Sequence, residues 1–254
     1  MTGFVIRPLN AAGHVTARPM PPLRRPDYSF VYLISGEVLT DIGGHSYLLR
    51  GRDCALIPPS VCFNVKYFKD SVGYMGAFGE DFLGNLGHPV LRLSEPSVMT
   101  VPEEDKVFFD EMMIRLSRSQ DNLQMARSIL DVFLCQFDAA IPNRCVTASE
   151  KLSSAFLEKV FDTSVPFYGV AGYASTLGIT PNHLNRAVKS ETGRSASEWI
   201  DNARISLART LLHDSSVSIT EIADRLGFSE PSYVSRFFRK MTGLTPSAFR
   251  SMLV

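Results

Sequence analysis

The stretch ITEIADRLGFSEPSYVSRFFRKMTG, residues Ile219–Gly243, combines a short apolar helix pattern, a glycine and a second helix pattern with a polar outer face. A related stretch, VAGYASTLGITPNHLNRAVKSETG, starts at Val170. Its Ala174 recurs 49 positions later as Ala223, and after one extra residue in the second turn the match continues 50 positions apart. Two copies at a nearly fixed offset indicate an internal structural repeat.

Each copy has the features of a helix-turn-helix. A small alanine lets the second helix approach closely, and Gly178 and Gly227 provide turn backbone that a larger residue would strain. Ser218 and Glu221 predict a capping box at the start of the second unit's first helix. The second helices of the two units are predicted to begin at Thr180 with Pro181 and at Ser229 with Glu230, respectively. From Ser149 onward the pattern is wholly helical.

The second helix of each copy has a polar outer face. The side chains of this face are Asn182, Asn185, Arg186 and Lys189 in the first copy, and Ser232, Tyr233, Arg236, Arg239 and Lys240 in the second. Arginine can pair bidentately with guanine and asparagine with adenine, while cations near the end of the helix can neutralise phosphates. A single polar stripe is typical of any solvated helix face, but its repetition behind two turn signatures favours DNA binding.

A third helix is predicted between the two copies, from about Glu198 to Leu212, because apolar residues recur there at helical spacing. Its length would be about 21 Å at about 1.5 Å per residue. Together with the widths of the two units, such a spacer could place the recognition helices about 34 Å apart, in successive major grooves on one face of the duplex.

The segment LLHDSSVSITEIADRLGFSEPSYVSRFFRKMTGLTPSAFR, Leu211–Arg250, resembles the C-terminal signature of the AraC/XylS family of bacterial transcriptional regulators. The resemblance covers about residues 149–250 and implies a double-stranded DNA partner and regulation of transcription. It favours activation over repression without deciding between them, and RNA polymerase would be a further partner of an activator. By position the resemblance implies base contacts from Asn182, Asn185, Arg186, Ser232, Tyr233 and Arg236. We expect Lys189, Arg239 and Lys240 to contact phosphates.

The first half of the chain has a β pattern. From Tyr28 to about Phe78, short β-type runs alternate with turn residues, and a Gly-Gly pair between EVLTDI and HSYLLR predicts a hairpin. These runs predict a small antiparallel barrel or sandwich, preceded by a proline-rich arm that we expect to be extended. The segment SGEVLTDIGGHSYLLRGRDCALIPPSVCFNV, residues 35–65, resembles the cupin-like effector domain of the same family.

The predicted fold class is therefore α+β, in two domains. Residues 1–141 would form the effector-binding and dimerisation domain, residues 142–148 a linker, and residues 149–254 the DNA-binding domain. Within the first domain two helical patterns follow Pro102, and the second places an apolar stripe along one side: Leu123, Ile129, Leu130, Phe133, Leu134 and Phe137. We interpret this pair as a homodimer interface; the alternative is that the stripe packs on the β domain.

Composition excludes few functions. The formal net charge is zero, and residues from Ser149 onward carry 12 Lys+Arg against 10 Asp+Glu, or +2, leaving 14 against 16, or −2, for the first part. A DNA-binding function must therefore depend on where the charges lie. The four cysteines, Cys54, Cys62, Cys135 and Cys145, form no CxxC pair, so we expect reduced thiols. Without a signal-peptide pattern or an apolar run of about 20 residues, a cytoplasmic protein with no membrane partner is expected.

No cofactor or metal is predicted, and the effector site is not identified by the sequence. Tyr28, Phe30 and Tyr32 on one strand face, with Lys66, Arg24 or Arg25 as the charge, are candidates for a small-molecule pocket. A regulator without a small-molecule ligand, controlled by a protein partner or by its abundance, is the main alternative. A cupin enzyme fused to a DNA-binding domain is disfavoured because the β region has His45 alone, with His14 and His88 outside it. An alkyl-acceptor repair protein is disfavoured because a cysteine cluster is lacking.

Overall fold

The computed structural model describes residues 3–15, 23–84, 87–140, 147–162, 164–165 and 167–252. The contacts between residues cluster in two units, one mostly of residues 1–145 and the other mostly of residues 146–254. Most of the predicted linker, residues 142–146, lies outside the described residues. The first helix of the second unit begins at Ala148, where the side chain of Thr147 accepts a hydrogen bond from the amide of Glu150 over 3.0 Å.

The N-terminal unit is built on one antiparallel sheet. Its described strands are β1 (Phe4–Val15), β2 (Leu23–Arg24), β3 (Tyr28–Ile42), β4 (His45–Arg50), β5 (Asp53–Ile57), β6 (Cys62–Phe78) and β7 (Ser97–Thr100). The order is β1-β6-β3-β5-β7, with β2 pairing with β6 and β4 pairing with β3. No strand pair among the described residues closes this path into a barrel. The α+β class is thus confirmed, whereas a closed barrel is not seen.

Two long strands replace four of the predicted short runs. The turn signals at Gly36 and at residues 69–71 are β-bulges within β3 and β6, where the register shifts and the chain continues. Gly36 has a φ of +83°, and a Cβ there would lie 2.2 Å from the carbonyl oxygen of Asp70. β1 was predicted only as extended chain. It tolerates Pro8 because it lies at the edge of the sheet.

Helices cover one face of this sheet. They are α1 (Glu80–Leu83), α2 (Lys106–Arg118) and α3 (Leu123–Ala140), with short 3₁₀ turns at Pro89–Arg92 and Glu103–Asp105. The predicted pocket aromatics face these helices: Tyr28 stacks on Phe78, Phe30 packs on Phe133, and the hydroxyl of Tyr32 donates to Asp110 over 2.8 Å. All three belong to the buried core between the sheet and these helices and are at most 7% exposed. That they line a small-molecule pocket stays a prediction.

The apolar stripe of α3 also faces this core. Leu130, Phe133, Leu134 and Phe137 are at most 1% exposed within a single chain, whereas Leu123 is 55% exposed. Because the buried part of this stripe is covered by its own sheet, these side chains are not available to a second chain, while dimerisation through another face of the helical pair stays a prediction. The alternative, packing on the β domain, is the one that the structure shows.

The opposite face of the sheet carries a second apolar cluster. Leu33, Val38 and Ile42 are buried there, but partly exposed side chains such as Tyr47 and Phe63 surround them. Lys66, considered above as a charge for an anionic ligand, already pairs with Asp41 over 3.0 Å and donates to Ser46 over 3.3 Å. Arg24 and Arg25 are exposed.

The C-terminal unit is all-helical in its described part. Its helices are α4 (Ala148–Val160), α5 (Val170–Thr176), α6 (Pro181–Thr192), α7 (Ala196–Leu212), α8 (Ile219–Leu226), α9 (Pro231–Thr242) and α10 (Pro246–Ser251). α5 with α6 and α8 with α9 are the two predicted helix-turn-helix units. Across the described residues of both units, no helix has the length and apolar character needed to cross a membrane.

Candidate nucleic-acid interface

The two turns have the same geometry. Gly178 and Gly227 both adopt left-handed backbone, with φ of +68° and +73°. In each turn the amide after the glycine donates back to the carbonyl of the buried alanine, Ala174 or Ala223, over 3.0 Å and 2.9 Å respectively. A non-glycine residue would be strained at this φ. The same turn geometry therefore sets the direction of α6 relative to α5 and of α9 relative to α8.

The ends of the two recognition helices repeat as well. Thr192 accepts from the second amide after it and donates to the carbonyl four residues before it, over 3.3 Å and 2.7 Å. Thr242 makes the equivalent bonds over 3.2 Å and 2.8 Å. Ser195 and Thr245 then cap the next helices. The structural repeat thus continues beyond the glycine that ends each recognition helix.

The helix starts differ from the predictions in two details. Ser218 accepts from the amide of Glu221 over 3.1 Å, but the Glu221 carboxylate pairs with Arg225 over 2.8 Å. The capping residue of α9 is Glu230 rather than Ser229, and its side chain makes no capping hydrogen bond. Both carboxylates lie near a helix N-terminus, where the helix dipole favours negative charge.

Most of the predicted DNA-contacting side chains are exposed. The exposed ones are Asn182, Arg186, Lys189, Ser232, Tyr233, Arg236, Arg239 and Lys240. They lie opposite buried anchors, which are Leu184 and Val188 on α6 and Val234 and Phe238 on α9. Within the described part of the chain, no side-chain hydrogen bond or ion pair engages Arg186 or Arg239. The hydrogen-bond donors of these two guanidinium groups are therefore not occupied by other described residues.

Asn185 is the exception. Its side chain is half-buried, and its Oδ1 accepts a hydrogen bond from the amide of Ala196 over 3.1 Å, at the start of α7. Reading adenine bidentately requires both the oxygen and the nitrogen of the amide group. With its oxygen engaged, Asn185 cannot make that contact in this conformation; it instead joins the recognition helix to the helix that follows.

His183, rather than Asn185, occupies the position on α6 that corresponds to Tyr233 on α9. At the repeat offset of 50, Tyr233 corresponds to His183, whereas Asn185 corresponds to Ser235. His183 is exposed on the first turn of α6. The offset itself was the signal, because applying it at every position of the recognition helix would have selected His183.

Arg236 is held by its neighbour. The guanidinium carbon of Arg236 lies 4.6 Å from the centroid of the Tyr233 ring, one helical turn earlier. Cation–π stacking of this kind restricts the guanidinium without occupying its donors. Arg236 is therefore oriented on the outer face of α9 while its hydrogen-bonding groups stay available.

Lys240 on α9 and Lys189 on α6 lie close to carboxylates of α7. Burial raises the pKa of Asp201 on α7, although the nearby charges of Arg204 and Lys240 favour its ionised form. On α6, Lys189 contributes in the same way to a lowered pKa of Glu198, whose main cause is the hydrogen bond from the backbone of Ser195. Part of the local positive charge is thus balanced, in agreement with the small net charge of the domain.

Arg204 on helix α7 contacts residues near both helix-turn-helix units. Its guanidinium lies 5.6 Å from the ring of Phe167, before the first unit, and 5.0 Å from the ring of Phe228, in the second turn. It also donates to the carbonyl of Leu226 over 3.1 Å. A Cβ at Gly227 would lie 3.0 Å from the Phe167 carbonyl oxygen. Through these contacts both helix-turn-helix units pack on α7 within one compact domain.

A second arginine closes the domain. Arg250 on α10 donates to the carbonyls of Leu212, Asp214 and Val217 over 3.3, 3.3 and 2.7 Å. These carbonyls belong to the end of α7 and to the loop that leads into α8. One guanidinium therefore donates to three backbone carbonyls at and beyond the end of α7, where the helix no longer provides an amide partner.

Arg250→Ala should lower the free energy of unfolding of the C-terminal unit by about 1–2 kcal/mol, because the three carbonyls lose a charged donor. Trp199 is the single tryptophan and is fully buried in this unit, so urea unfolding followed by its fluorescence measures the effect. Arg225→Ala, which breaks an exposed pair with Glu221, is the control and should cost less than about 1 kcal/mol. Equal losses in both variants would contradict the role of Arg250.

Comparisons with known proteins agree with this geometry. Residues 173–252 match the family described as "Helix-turn-helix domain". The arabinose operon regulatory protein of Salmonella typhimurium is 22% identical over 266 residues, covering 97% of this chain and 91% of that protein. The transcriptional activator RhaR of Mannheimia succiniciproducens is 29% identical over 112 residues, covering 44% of this chain and 40% of its own length.

Among solved structures, unsaturated fatty acid-bound ToxT from Vibrio cholerae is similar over 100% of this chain and 97% of its own, with 17% identity and a TM-score of 0.41. The family match covers nearly all of the two helix-turn-helix units. The C-terminal domain is thus a helix-turn-helix domain similar to those of arabinose- and rhamnose-named regulators, which supports its resemblance to the AraC/XylS family of transcriptional regulators.

Proposed function

We propose that the chain is a sequence-specific regulator that reads two successive major grooves with α6 and α9. The observation that carries this proposal is the equivalence of Arg186 and Arg236. Both are exposed and both follow the same left-handed glycine turn. Arg236, Tyr233 and Ser232 would read bases from α9, with Asn182, His183 and Arg186 on α6. Lys189, Arg239 and Lys240 would contact phosphates.

The packing of α7 supports simultaneous contact of both helix-turn-helix units with one DNA duplex. A 17-residue helix is about 25 Å long at about 1.5 Å per residue. Because Arg204 joins it to residues before the first unit and within the second, the spacing of the recognition helices is set by packing. Two half-sites about 10–10.5 base pairs apart would suit such a rigid spacer.

The test is selection of binding sites from a random-sequence duplex library by the full-length chain, followed by changes of half-site spacing. We expect a two-part site. Inserting five base pairs between its parts should abolish joint binding because one part turns to the opposite face of the duplex. Inserting ten base pairs should also fail, because the rigid spacer cannot lengthen by a helical turn. Full affinity after the ten-base-pair insertion would show independent units, and enrichment of no sequence would contradict specific recognition.

We further propose that the chain activates transcription in contact with RNA polymerase. The similarity to a protein named as a transcriptional activator supports the direction of regulation. Transcription in vitro from a promoter that carries the selected site would measure it. A rise in transcript on adding the chain would support activation, and a fall would show repression by the same interface.

Control by the N-terminal unit completes the proposal. A small-molecule effector would bind on the sheet face opposite α2 and α3, where Tyr47 and Phe63 remain partly exposed around a buried apolar cluster. The alternative, control by a protein partner or by abundance, would leave DNA affinity unchanged by any metabolite pool. A homodimer would use the outer side of α2, where Val107 and Phe108 are 78% and 53% exposed. The chain would act through binding rather than catalysis.

A further inference from the structure

A histidine outside the DNA-binding domain lies between two carboxylates of one helix. His88 is 8% exposed. Its Nδ1 lies 2.6 Å from Asp138 Oδ2 and its Nε2 lies 2.8 Å from Asp131 Oδ1, both on α3. Cys135 lies between these aspartates on the helix, four residues after the first and three before the second. It is exposed and forms no disulfide.

Asp138 orients the imidazole. Its second oxygen accepts a hydrogen bond from the amide of Val90 over 2.8 Å, so the carboxylate is held from two sides. With Nδ1–H donating to Asp138, Nε2 carries the lone pair and faces Asp131. Two acceptor atoms 2.8 Å apart repel each other unless a proton or a metal cation lies between them. A carboxylate that fixes a histidine in this way is the usual second partner of a metal-bound imidazole.

We propose that His88 Nε2, Asp131 Oδ1 and Cys135 Sγ form a Zn²⁺ site. One ligand atom from each residue lies within 4.8 Å of the other two. Bond lengths of about 2.0–2.3 Å to zinc place tetrahedral ligands about 3.3–3.7 Å apart, so shifts on the order of 1 Å would seat the ion. Because Cys135 is exposed and the Asp131 side chain is 41% exposed, the fourth position is open to water.

The ligand types select zinc over the harder divalent cations. Mg²⁺ and Ca²⁺ prefer sites made of oxygen atoms, whereas a set of nitrogen, oxygen and thiolate sulfur suits Zn²⁺. The spacing of Asp131 and Cys135 places both on one face of α3. The ion would join α3 to the segment that begins at His88 and would cross-link the N-terminal unit. This inference does not depend on the proposed DNA contacts.

The test uses full-length protein stripped of metal with a chelator and titrated with Zn²⁺ in competition with a chromophoric indicator. One ion per chain should bind, and the temperature of unfolding should rise with zinc concentration because the ion binds only the folded state. With Co²⁺ as the probe, a thiolate-to-cobalt charge-transfer band should appear. Cys135→Ser should remove this band and weaken zinc binding at least tenfold. Asp138→Asn should weaken it about 10–100-fold by releasing the imidazole.

Matched controls are Cys62→Ser, a cysteine on β6 away from the cluster, and Asp121→Asn, an exposed carboxylate just before α3. Both should bind zinc as the unsubstituted chain does. Circular dichroism would show that Cys135→Ser, which changes an exposed side chain, remains folded. Absence of stoichiometric zinc, or equal affinity in Cys135→Ser and Cys62→Ser, would overturn the proposal and leave His88 as a hydrogen-bonded bridge between two carboxylates.

Discussion

Glutamate at both Leu130 and Phe133 is expected to unfold the N-terminal unit rather than to separate a dimer. Both side chains are fully buried in one chain, and Phe133 contacts Phe30 and Phe137 with ring centroids 5.2 Å apart in each pair. Removing a large apolar side chain from a core costs about 2–5 kcal/mol. Placing an unpaired charge there adds to that loss. Two such changes would remove most or all of the about 5–15 kcal/mol that stabilises a typical domain.

Near-ultraviolet circular dichroism and limited proteolysis of the first 140 residues would measure this loss. Trp199 fluorescence should be unchanged, because that residue lies in the core of the other unit. Met125→Glu is the control on the same helix; its side chain is 51% exposed, so the unit should stay folded. A soluble, folded monomer from the double variant would restore the stripe as a dimer interface. Phe108→Glu, which changes an exposed residue on α2, tests the proposed dimer face by sedimentation.

Arg236→Ala is expected to cost about 1–3 kcal/mol on the selected site, or roughly 5–150-fold in affinity, with a much smaller loss on random DNA. The stacked guanidinium is already oriented over Tyr233, so removing it takes away a preorganised base contact. Arg236→Lys should lose the same specificity while keeping the charge, because an ammonium lacks the planar fork. Binding followed by fluorescence anisotropy at several salt concentrations would separate charge from specificity.

Lys240→Ala supplies the contrasting case in that experiment. It should weaken selected and random sequences alike and reduce the slope of log affinity against log salt by about one. The neighbouring Asp201 would make this reduction smaller if it partly neutralises Lys240 in the complex. If Arg236→Ala lowered affinity equally for both sequences, its role in reading bases would be wrong.

The sequence alone determined the features that depend on near neighbours. A glycine with positive φ and a small alanine four residues earlier are local requirements, so their recurrence at an offset of 49 identified both helix-turn-helix units. Helical periodicity likewise separated the buried Leu184 and Val234 from the exposed Arg186 and Arg236. These predictions held because each motif carries its own physical cause.

Features that depend on distant residues were decided by the tertiary structure. A glycine such as Gly36 marks a turn or a bulge equally well, and only pairing with β6 makes it a bulge. The stripe of α3 could cover a sheet or a second chain, and the pattern of apolar residues is the same in both cases. Asn185 has the spacing of a DNA contact, but the amide of Ala196 occupies its oxygen.

The cluster around His88 shows the same limit most directly. His88 and Asp138 are 50 residues apart in the chain, and Asp131 and Cys135 resemble ordinary surface residues of a helix. Periodicity places these two on one face of α3 but does not show what packs against that face. Short segments of the sequence therefore suffice to predict local motifs. Which distant segments come into contact depends on how the apolar surface of the whole chain is buried, and this is determined only by the tertiary structure.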